Sequence, residues 1–343
     1  MTLVGPPRPT PDVSVLLPVR NAVDTLDEAL RSVLAQADVR FEVIAVDDGS
    51  SDGSSDILAD RAREDPRVRV VSTAPRGLVP ALETARAAAR APLLARMDAD
   101  DLMRPGRLAT QRATLAEHPD WAVCGGHVRI IPRERLTSGR LRYESWLNSL
   151  ADADAVERDL FVECPLAHPT WMLRADAVGQ VGGYRDAGWP EDHDLLLRLR
   201  AAGWRLGTVP EVVHDWRDRP ERLSRTHPSY ALAAFVRCRV HHLPRLHPRA
   251  RQGVVVCGAG PVGKTFARAL AEVGVPLQAF LDVDPRKIGQ QIHGVPVLAH
   301  DDVDPIRDFF TVAAVAGVRA REEIRSMLRK RGLVEGVDFV AVG

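Results

Sequence analysis

Lysine is nearly absent: among the 46 basic residues of this 343-residue chain, only Lys264, Lys287 and Lys330 are lysines. Acidic residues also number 46, so there is no cationic excess to track a polyanion, and nucleic acid is not an expected partner. Cysteine is scarce as well. Cys124, Cys164, Cys238 and Cys257 lie far apart without CxxC spacing, the pattern of reduced, buried thiols in a cytoplasmic protein rather than a disulfide frame or zinc site. No run reaches the roughly 18 consecutive apolar residues of a membrane span. The proline-rich start, residues 1–11, lacks an apolar stretch, so a flexible N-terminus and no signal peptide are expected. Aromatics are few at 5%, yet hydrophobic residues make up 45% and charged residues 27%, a globular balance with material for buried cores. The length suggests two domains.

Within the first hundred residues, short apolar runs alternate with helical patterns. Val13–Leu17, Glu42–Val46, Val68–Val71 and Pro92–Met97 are strand-like. Between them, residues 24–36 carry apolar side chains at Leu26, Ala29, Leu30, Val33 and Leu34, a helical period, and residues 55–63 and 78–90 also suit helices. Such alternation predicts a parallel sheet with helices on both faces, and ligands of such sheets bind beyond the carboxyl ends of the strands. Two acidic turns fall there: Asp47-Asp48-Gly49-Ser50 and Asp98-Ala99-Asp100-Asp101. From about Trp121 to Val213 the pattern loosens into a strand-like 121–131, a polar stretch 132–158 and a helix over about 191–202.

Three carboxylates crowded at one strand end repel one another and raise their pKa values unless a cation or hydrogen-bond donors offset the charge. Magnesium takes one or two carboxylates together with phosphate oxygens, so the run suits a divalent cation; it equally suits a solvated turn before the helix near Pro105. The other turn suits helix capping, and also a carboxylate accepting the imide N–H of a pyrimidine base.

Taken together, these segments resemble the family 2 glycosyltransferases of GT-A fold. Leu17-Pro18-Val19-Arg20-Asn21 is similar to that family's first-strand motif, Val46 to Ser54 to its base-binding turn, and Arg96 to Asp101 to its metal-binding DxD element, followed by Arg104, Pro105, Gly106, Arg107, Leu108 and Gln111. Trp189-Pro190-Glu191-Asp192-His193-Asp194 resembles the segment that holds the catalytic base. The resemblance covers residues 12–240. It implies an α/β, mainly parallel Rossmann-like sheet flanked by helices, and inverting, metal-assisted transfer from a nucleotide-sugar donor to a glycan or lipid-linked acceptor in bacterial surface polysaccharide or glycoconjugate synthesis. Carried over by position, Pro18, Asn21, Asp48 and Arg76 would bind the donor, and Asp98 and Asp100 would hold its metal-bound diphosphate. Asp101 and His214 would join the metal set, Mn2+ or Mg2+. Asp192 would accept the proton, with Glu191 as its rival. Trp189 and Trp216 suit either sugar stacking or ordinary packing. Where relatives carry asparagines, this chain has Arg76 and Glu83.

Residues 241–252 suit a linker, after which a second domain, 253–343, is expected. Its Gly258-Ala259-Gly260-Pro261-Val262-Gly263 follows an apolar strand and opens a helix, a glycine pattern that lets a pyrophosphate approach a helix N-terminus. Asp282 ends the next strand, placed to bind a ribose hydroxyl. This part resembles the small Rossmann-like domains before bacterial sugar acetyltransferases and sugar dehydratases, which implies a nucleotide- or nucleotide-sugar-binding module or a scaffold. An NAD-linked oxidoreductase built on these glycines, or a silent nucleotide-sugar-binding protein, are the alternative readings. Between Arg222 and Ala271 there is no acidic residue at all; that stretch suits solvated surface, phosphate, or peripheral contact with the cytoplasmic face of a membrane.

Overall fold

The computed structural model describes residues 10–302 and 307–342; of the flexible N-terminus expected over residues 1–11, positions 1–9 lie outside the described residues. Seven elements open the chain: β1 (Val13–Val19), α1 (Leu26–Leu34), β2 (Phe41–Asp48), α2 (Ser54–Glu64), β3 (Val68–Thr73), α3 (Leu78–Ala88) and β4 (Leu93–Arg96). There follow β5 (Leu102–Met103), α4 (Arg107–Glu117), β6 (Trp121–Ile131), α5 (Ser138–Leu147), α6 (Ala153–Arg158), β7 (Met172–Arg174) and α7 (Ala175–Gln180). Next come α8 (Glu191–Ala201), β8 (Arg205–Arg217), α9 (Leu223–Thr226) and α10 (Leu232–Leu246). The last elements are β9 (Val254–Cys257), α11 (Pro261–Glu272), β10 (Leu277–Asp282), β11 (Gln291–Ile292), β12 (Val295–Ala299), β13 (Phe310–Ala313), α12 (Val318–Lys330) and β14 (Phe339–Ala341). The expected linker, residues 241–252, is occupied by the end of α10 and a 3-10 turn over Pro248–Arg251.

The chain divides into two compact units that interleave along the sequence. One comprises residues up to Ala153 with Leu166–Arg185 and Trp204–Arg219; the other comprises Asp154–Pro165, Asp186–Gly203 and the chain from Pro220 on.

The first unit is a mixed, mainly parallel sheet of order β3-β2-β1-β4-β7-β6-β8-β5. β1, β2, β3 and β4 run parallel, whereas β7 is antiparallel to both β4 and β6. All eight residues of β2 are buried, the near-continuous burial expected of a parallel strand covered on both faces. α1 buries Leu26, Ala29, Leu30 and Val33 against this sheet, one stripe of a 3.6-residue period. Because β2 and β3 lie on one side of β1 and β4 on the other, the chain reverses its winding between β1 and β4, where such sheets open a ligand crevice at their carboxyl edge. The polar stretch 132–158 contains α5 and α6. Its α5 is weakly amphipathic, burying only Leu147 among its residues, so periodicity could not announce it.

The second unit carries a six-stranded sheet of order β11-β12-β10-β9-β13-β14, parallel except for β11. Segment 154–165 is fastened to it by charge. Arg325 on α12 donates to Asp159 at 2.6 Å and to Glu335 at 2.7 Å, with the three side chains 1%, 4% and 8% exposed. Removing Arg325 strips the buried Asp159 and Glu335 of their shared buried cation and leaves them to the more exposed Arg158 and Arg329. Arg325→Leu is therefore expected to destabilise this unit by roughly 3–5 kcal/mol, read as a lowered urea midpoint.

Burial also presses the pKa values of His168, His193, His214 and His247 down, His193 to about 3 and His247 to about 4. Folded, they stay neutral; unfolded, they protonate near about 6.5. Stability is then fully present above that value and is lost as pH falls, at about 1.4 kcal/mol per pH unit for each group. Glu163 and Asp192, raised by burial, oppose part of this slope. The four histidines outnumber them, so unfolding midpoints measured from pH 7.5 to 5 should fall.

Candidate active site

The turn after β2 is built by its two aspartates in different ways. Asp47 accepts the Ser50 N–H at 2.9 Å and the Ser55 hydroxyl at 2.5 Å, which closes the turn onto α2. Gly49 sits at φ +71, and a Cβ there would stand 2.7 Å from Pro75 Cδ. Asp48 is 3% exposed. Its two carboxylate oxygens accept the N–H groups of Arg76 and Gly77, each at 2.8 Å, and the Arg20 guanidinium lies 3.6 Å away. Asn21 joins this turn to the end of β1: its side-chain oxygen accepts the Ser51 N–H at 2.9 Å and its own N–H donates to Ser50 Oγ at 3.1 Å. Pro18 pairs with Val46 across β1 and β2. Arg76 offers its backbone to Asp48 while its side chain is exposed. Glu83 accepts the Tyr184 N–H at 2.7 Å and pairs with Arg86.

One strand further, the chain leaves β4 alongside β1, with the Met97 N–H donating to Leu16 O, and enters the acidic run. Asp98, Asp100 and Asp101 offer carboxylate oxygens within 4.8 Å of one another, Asp98 and Asp100 partly exposed and Asp101 buried. Arg96, itself 2% exposed, donates to Asp98 at 2.5 Å. Arg219 stands 3.5 Å from Asp100. The hard carboxylate oxygens of Asp98 and Asp100, with Arg96 and Arg219 beside them, fit a magnesium- or manganese-type ion.

Asp101 has a different task from its neighbours. One oxygen accepts the Arg217 N–H at 2.7 Å and the other faces His214 Nε2 at 2.9 Å. The opposite ring nitrogen, Nδ1, lies 3.2 Å from Arg107 Nη1. A guanidinium can only donate, so Nδ1 accepts and Nε2 carries the proton given to Asp101. Burial, reinforced by the Arg107 charge, holds the His214 pKa far below its ordinary value, consistent with a neutral ring. Both nitrogens are thus engaged, and His214 supports Asp101 rather than presenting a lone pair to an ion. Arg107 continues the chain to Arg96 O at 2.8 Å and to Gln111 at 3.0 Å, whose amide nitrogen serves the carbonyls of Cys124, Gly125 and Thr170. The late histidine was foreseeable from its place in the sequence; its inward role depends on Arg107, which no local pattern couples to it.

In the second unit, α8 begins Glu191-Asp192-His193-Asp194. Asp192 is half-buried and takes the His193 N–H at 2.6 Å. Burial first, then the Glu191 charge, raises its pKa well above the usual carboxylate range. Glu191 accepts the Tyr230 hydroxyl at 2.6 Å. Asp194 accepts from Arg198 at 2.7 Å, His242 at 2.9 Å and Trp189 at 3.1 Å. Trp189 is therefore tied to Asp194 by a hydrogen bond, and Trp216 packs with Tyr143, Val128 and Ile130.

The second sheet also has a reversal of winding, between β9 and β13, and there a cavity of about 260 Å³ is lined by Gly258, Gly260, Val262, Asp282, Lys287 and Met327, among others. A Cβ on Gly258 would meet Ala314 O at 2.5 Å, and one on Gly263 would meet Gly258 O at 1.8 Å; around Gly260 there is open space. Asp282, expected to face a ribose, accepts the N–H groups of Ala259 and Asp284 and the Lys287 ammonium at 2.8–2.9 Å.

Known proteins match this arrangement. Residues 14–182 fit the model of glycosyl transferase family 2. The putative glycosyltransferase EpsE of Bacillus subtilis is 28% identical over 68% of this chain and 84% of its own length. The succinoglycan biosynthesis protein ExoO of Rhizobium meliloti is 40% identical over 29% of this chain and 28% of its own. In fold, the chain is similar to S. aureus TarS 1-349, solved in complex with UDP-GlcNAc, at TM-score 0.51 and 17% identity over 68% of this chain and 66% of that one. Residues 14–182, which carry both acidic turns at the carboxyl edge of a GT-A sheet, form a glycosyl transferase family 2 domain.

Proposed function

We propose that the chain transfers a sugar from a nucleotide-sugar to an acceptor hydroxyl with inversion, assisted by Mn2+ or Mg2+, in the assembly of a surface polysaccharide or glycoconjugate. The observation that carries this reading is the placing of Asp48 at the carboxyl end of β2 and of Asp98 and Asp100 just beyond that of β4, with β1 between them. Asp48 would accept from the base of the donor, next to Pro18, Asn21 and Arg76. Asp98 and Asp100 would hold the ion, which when bound offsets the charge of the leaving diphosphate. Arg217 and Arg219 add positive charge on the same side. Asp192 would take the acceptor's proton as the acceptor oxygen bonds to the anomeric carbon, while the bond to the diphosphate breaks on the opposite face and the departing diphosphate keeps the electron pair. A base with a raised pKa suits this task. The relative named for succinoglycan biosynthesis supports a glycan or lipid-linked acceptor.

For the second unit we propose a separate nucleotide or nucleotide-sugar pocket at Gly258, Gly260 and Gly263, supported by the open space around Gly260. With Asp282 bonded to Lys287, recognition of a ribose diol as in NAD enzymes is not favoured.

Thermal-shift measurements with UDP, GDP and their sugars, with and without Mn2+, test both. A ligand at about 100 times its Kd should add about 2.7 kcal/mol of stability. Asp98→Asn with Asp100→Asn should abolish the manganese-dependent part, and any remaining shift should vanish on Gly260→Val. Asp192→Asn should leave the shift in place and slow transfer on the order of 10²–10⁴-fold; retained transfer would remove Asp192 as the base.

Among the described residues no helix is long and apolar enough to cross a membrane. Peripheral contact at an anionic face remains a proposal, supported by the stretch Arg222–Ala271, free of acidic residues, and by exposed Leu223 and Leu232. Sedimentation with phosphatidylglycerol vesicles at low salt should carry the protein down. Equal recovery with neutral vesicles would count against it.

A further inference from the structure

Two neighbouring carboxylates compete to be the proton acceptor, and the second unit treats them unequally. Glu191 and Asp192 occupy the first turn of α8 after Pro190, which has no side-chain hydrogen bond to give the helix start. A phenol reaches Glu191: Tyr230, on the 3-10 turn Pro228–Tyr230 just before α10, donates to Glu191 Oε2 at 2.6 Å. The donors described at Asp192 are weaker or local, the Cys164 thiol and the N–H of His193. A short hydrogen bond to a charged oxygen is about twice as strong as a neutral one, and a thiol is a weak donor.

The turn that presents Cys164 is itself fixed. Arg239 on α10 donates to Phe161 O at 2.9 Å and to Val162 O at 2.8 Å, while His193 Nε2 meets Leu160 O at 2.7 Å. The titratable and charged groups set around Asp192 are therefore Glu191 on its own helix, Glu163 and Cys164 on this turn, and Cys238 and Arg239 on α10.

We propose that Tyr230 is a positioning residue: by donating to Glu191 it keeps Glu191 the ionised member of the pair and leaves Asp192 the proton-accepting one. This rests on the reading of Asp192 as the base. The direction follows from the like-charge pair. With Glu191 held negative, Asp192 keeps its proton to higher pH and is the stronger base once ionised. Without the phenol, the shared proton spends more time on Glu191, and Asp192 ionises at lower pH.

The test needs no substrate. The full chain is labelled with ¹³C at the aspartate carboxyl carbons and titrated by NMR, with Asp192→Asn identifying the resonance. Tyr230→Phe should lower the Asp192 midpoint by about one pH unit, the order of one lost hydrogen bond to a charged group. Glu191→Gln should also lower it, and adding Tyr230→Phe to Glu191→Gln should move it no further. An unmoved midpoint in Tyr230→Phe, with the unfolding temperature lowered, marks Tyr230 as a structural anchor and overturns the proposal. So does an additional shift in the double variant, because Tyr230 would then act by a route other than Glu191. If the midpoints move as stated but Asp192→Asn still transfers sugar, the base reading falls and this role falls with it. If Asp192→Asn is inactive and Tyr230→Phe titrates like the parent, only the present inference fails.

Discussion

A buried carboxylate must be matched or it will not stay charged, and the first unit hangs its acidic run on one that is matched. Asp101, 1% exposed, is held by the neutral ring of His214 and by the Arg217 N–H, with the Arg107 charge one ring away and Gln111 bracing Arg107 in turn. Placing a guanidinium directly on Asp101 would neutralise it equally well, yet a neutral imidazole between them fixes direction as well as charge. The loop backbone is pinned from both sides: the Thr25 hydroxyl donates to Ala99 O at 3.1 Å and Arg217 Nε donates to Asp100 O at 2.7 Å. Asp101 can therefore anchor the loop while Asp98 and Asp100 remain toward solvent. Three like residues in four positions divide into one buried support and two partly exposed carboxylates.

The same economy of partners appears on α8, where the sorting is done by the kind of donor. Asp194 would be raised by burial, but the hydrogen bonds of His242 and Arg198 and their charge bring it to about 2. Asp192, two residues earlier, is driven the other way by burial and by Glu191. The first meets cationic and imidazole donors and serves structure. The second meets a thiol and a backbone N–H, too little to offset burial and the Glu191 charge, so it keeps its proton to higher pH. Environments that push neighbouring carboxylates apart in pKa are how acid and base tasks become distinct. Asp194 also lies close to Cys238 and His242, a grouping of metal-ligand types, yet its oxygens are already met by Arg198, His242 and Trp189, which accounts for the cluster without an ion.

The alternation of strands and helices up to β4 was legible because each element there carries its own period or apolar run, and both acidic turns could be placed at strand ends for the same reason. What lay beyond was pairing at long range. His214 stands 113 positions from Asp101 and 107 from Arg107, and nothing local distinguishes a histidine aimed at an ion from one aimed inward. The aromatic side chains Trp189 and Trp216 posed the same problem, since a hydrogen bond to Asp194 or packing on Tyr143 is a property of the assembled fold. Segments 154–165 and 186–203 group with the C-terminal sheet through contacts such as Arg325 with Asp159, so a boundary drawn along the sequence could not express the arrangement.

The glycine triplet of the second unit shows how a motif can be right about geometry and silent about ligands. Gly258 and Gly263 are required by the fold itself: the first would collide with Ala314 O and the second with Gly258 O if either carried a Cβ. Any chain that turns from β9 into α11 at this closeness needs those two glycines, with or without a nucleotide. Asp282 is likewise committed, tying β10 to the glycine turn through the Ala259 N–H and to Lys287. Subtracting these internal obligations leaves Gly260, whose φ of −88 is open to any residue and whose missing side chain leaves room that no protein atom fills. That room would admit a phosphate approaching the start of α11. The case for a ligand in this unit therefore rests on Gly260 and the cavity it lines, not on the motif as a whole.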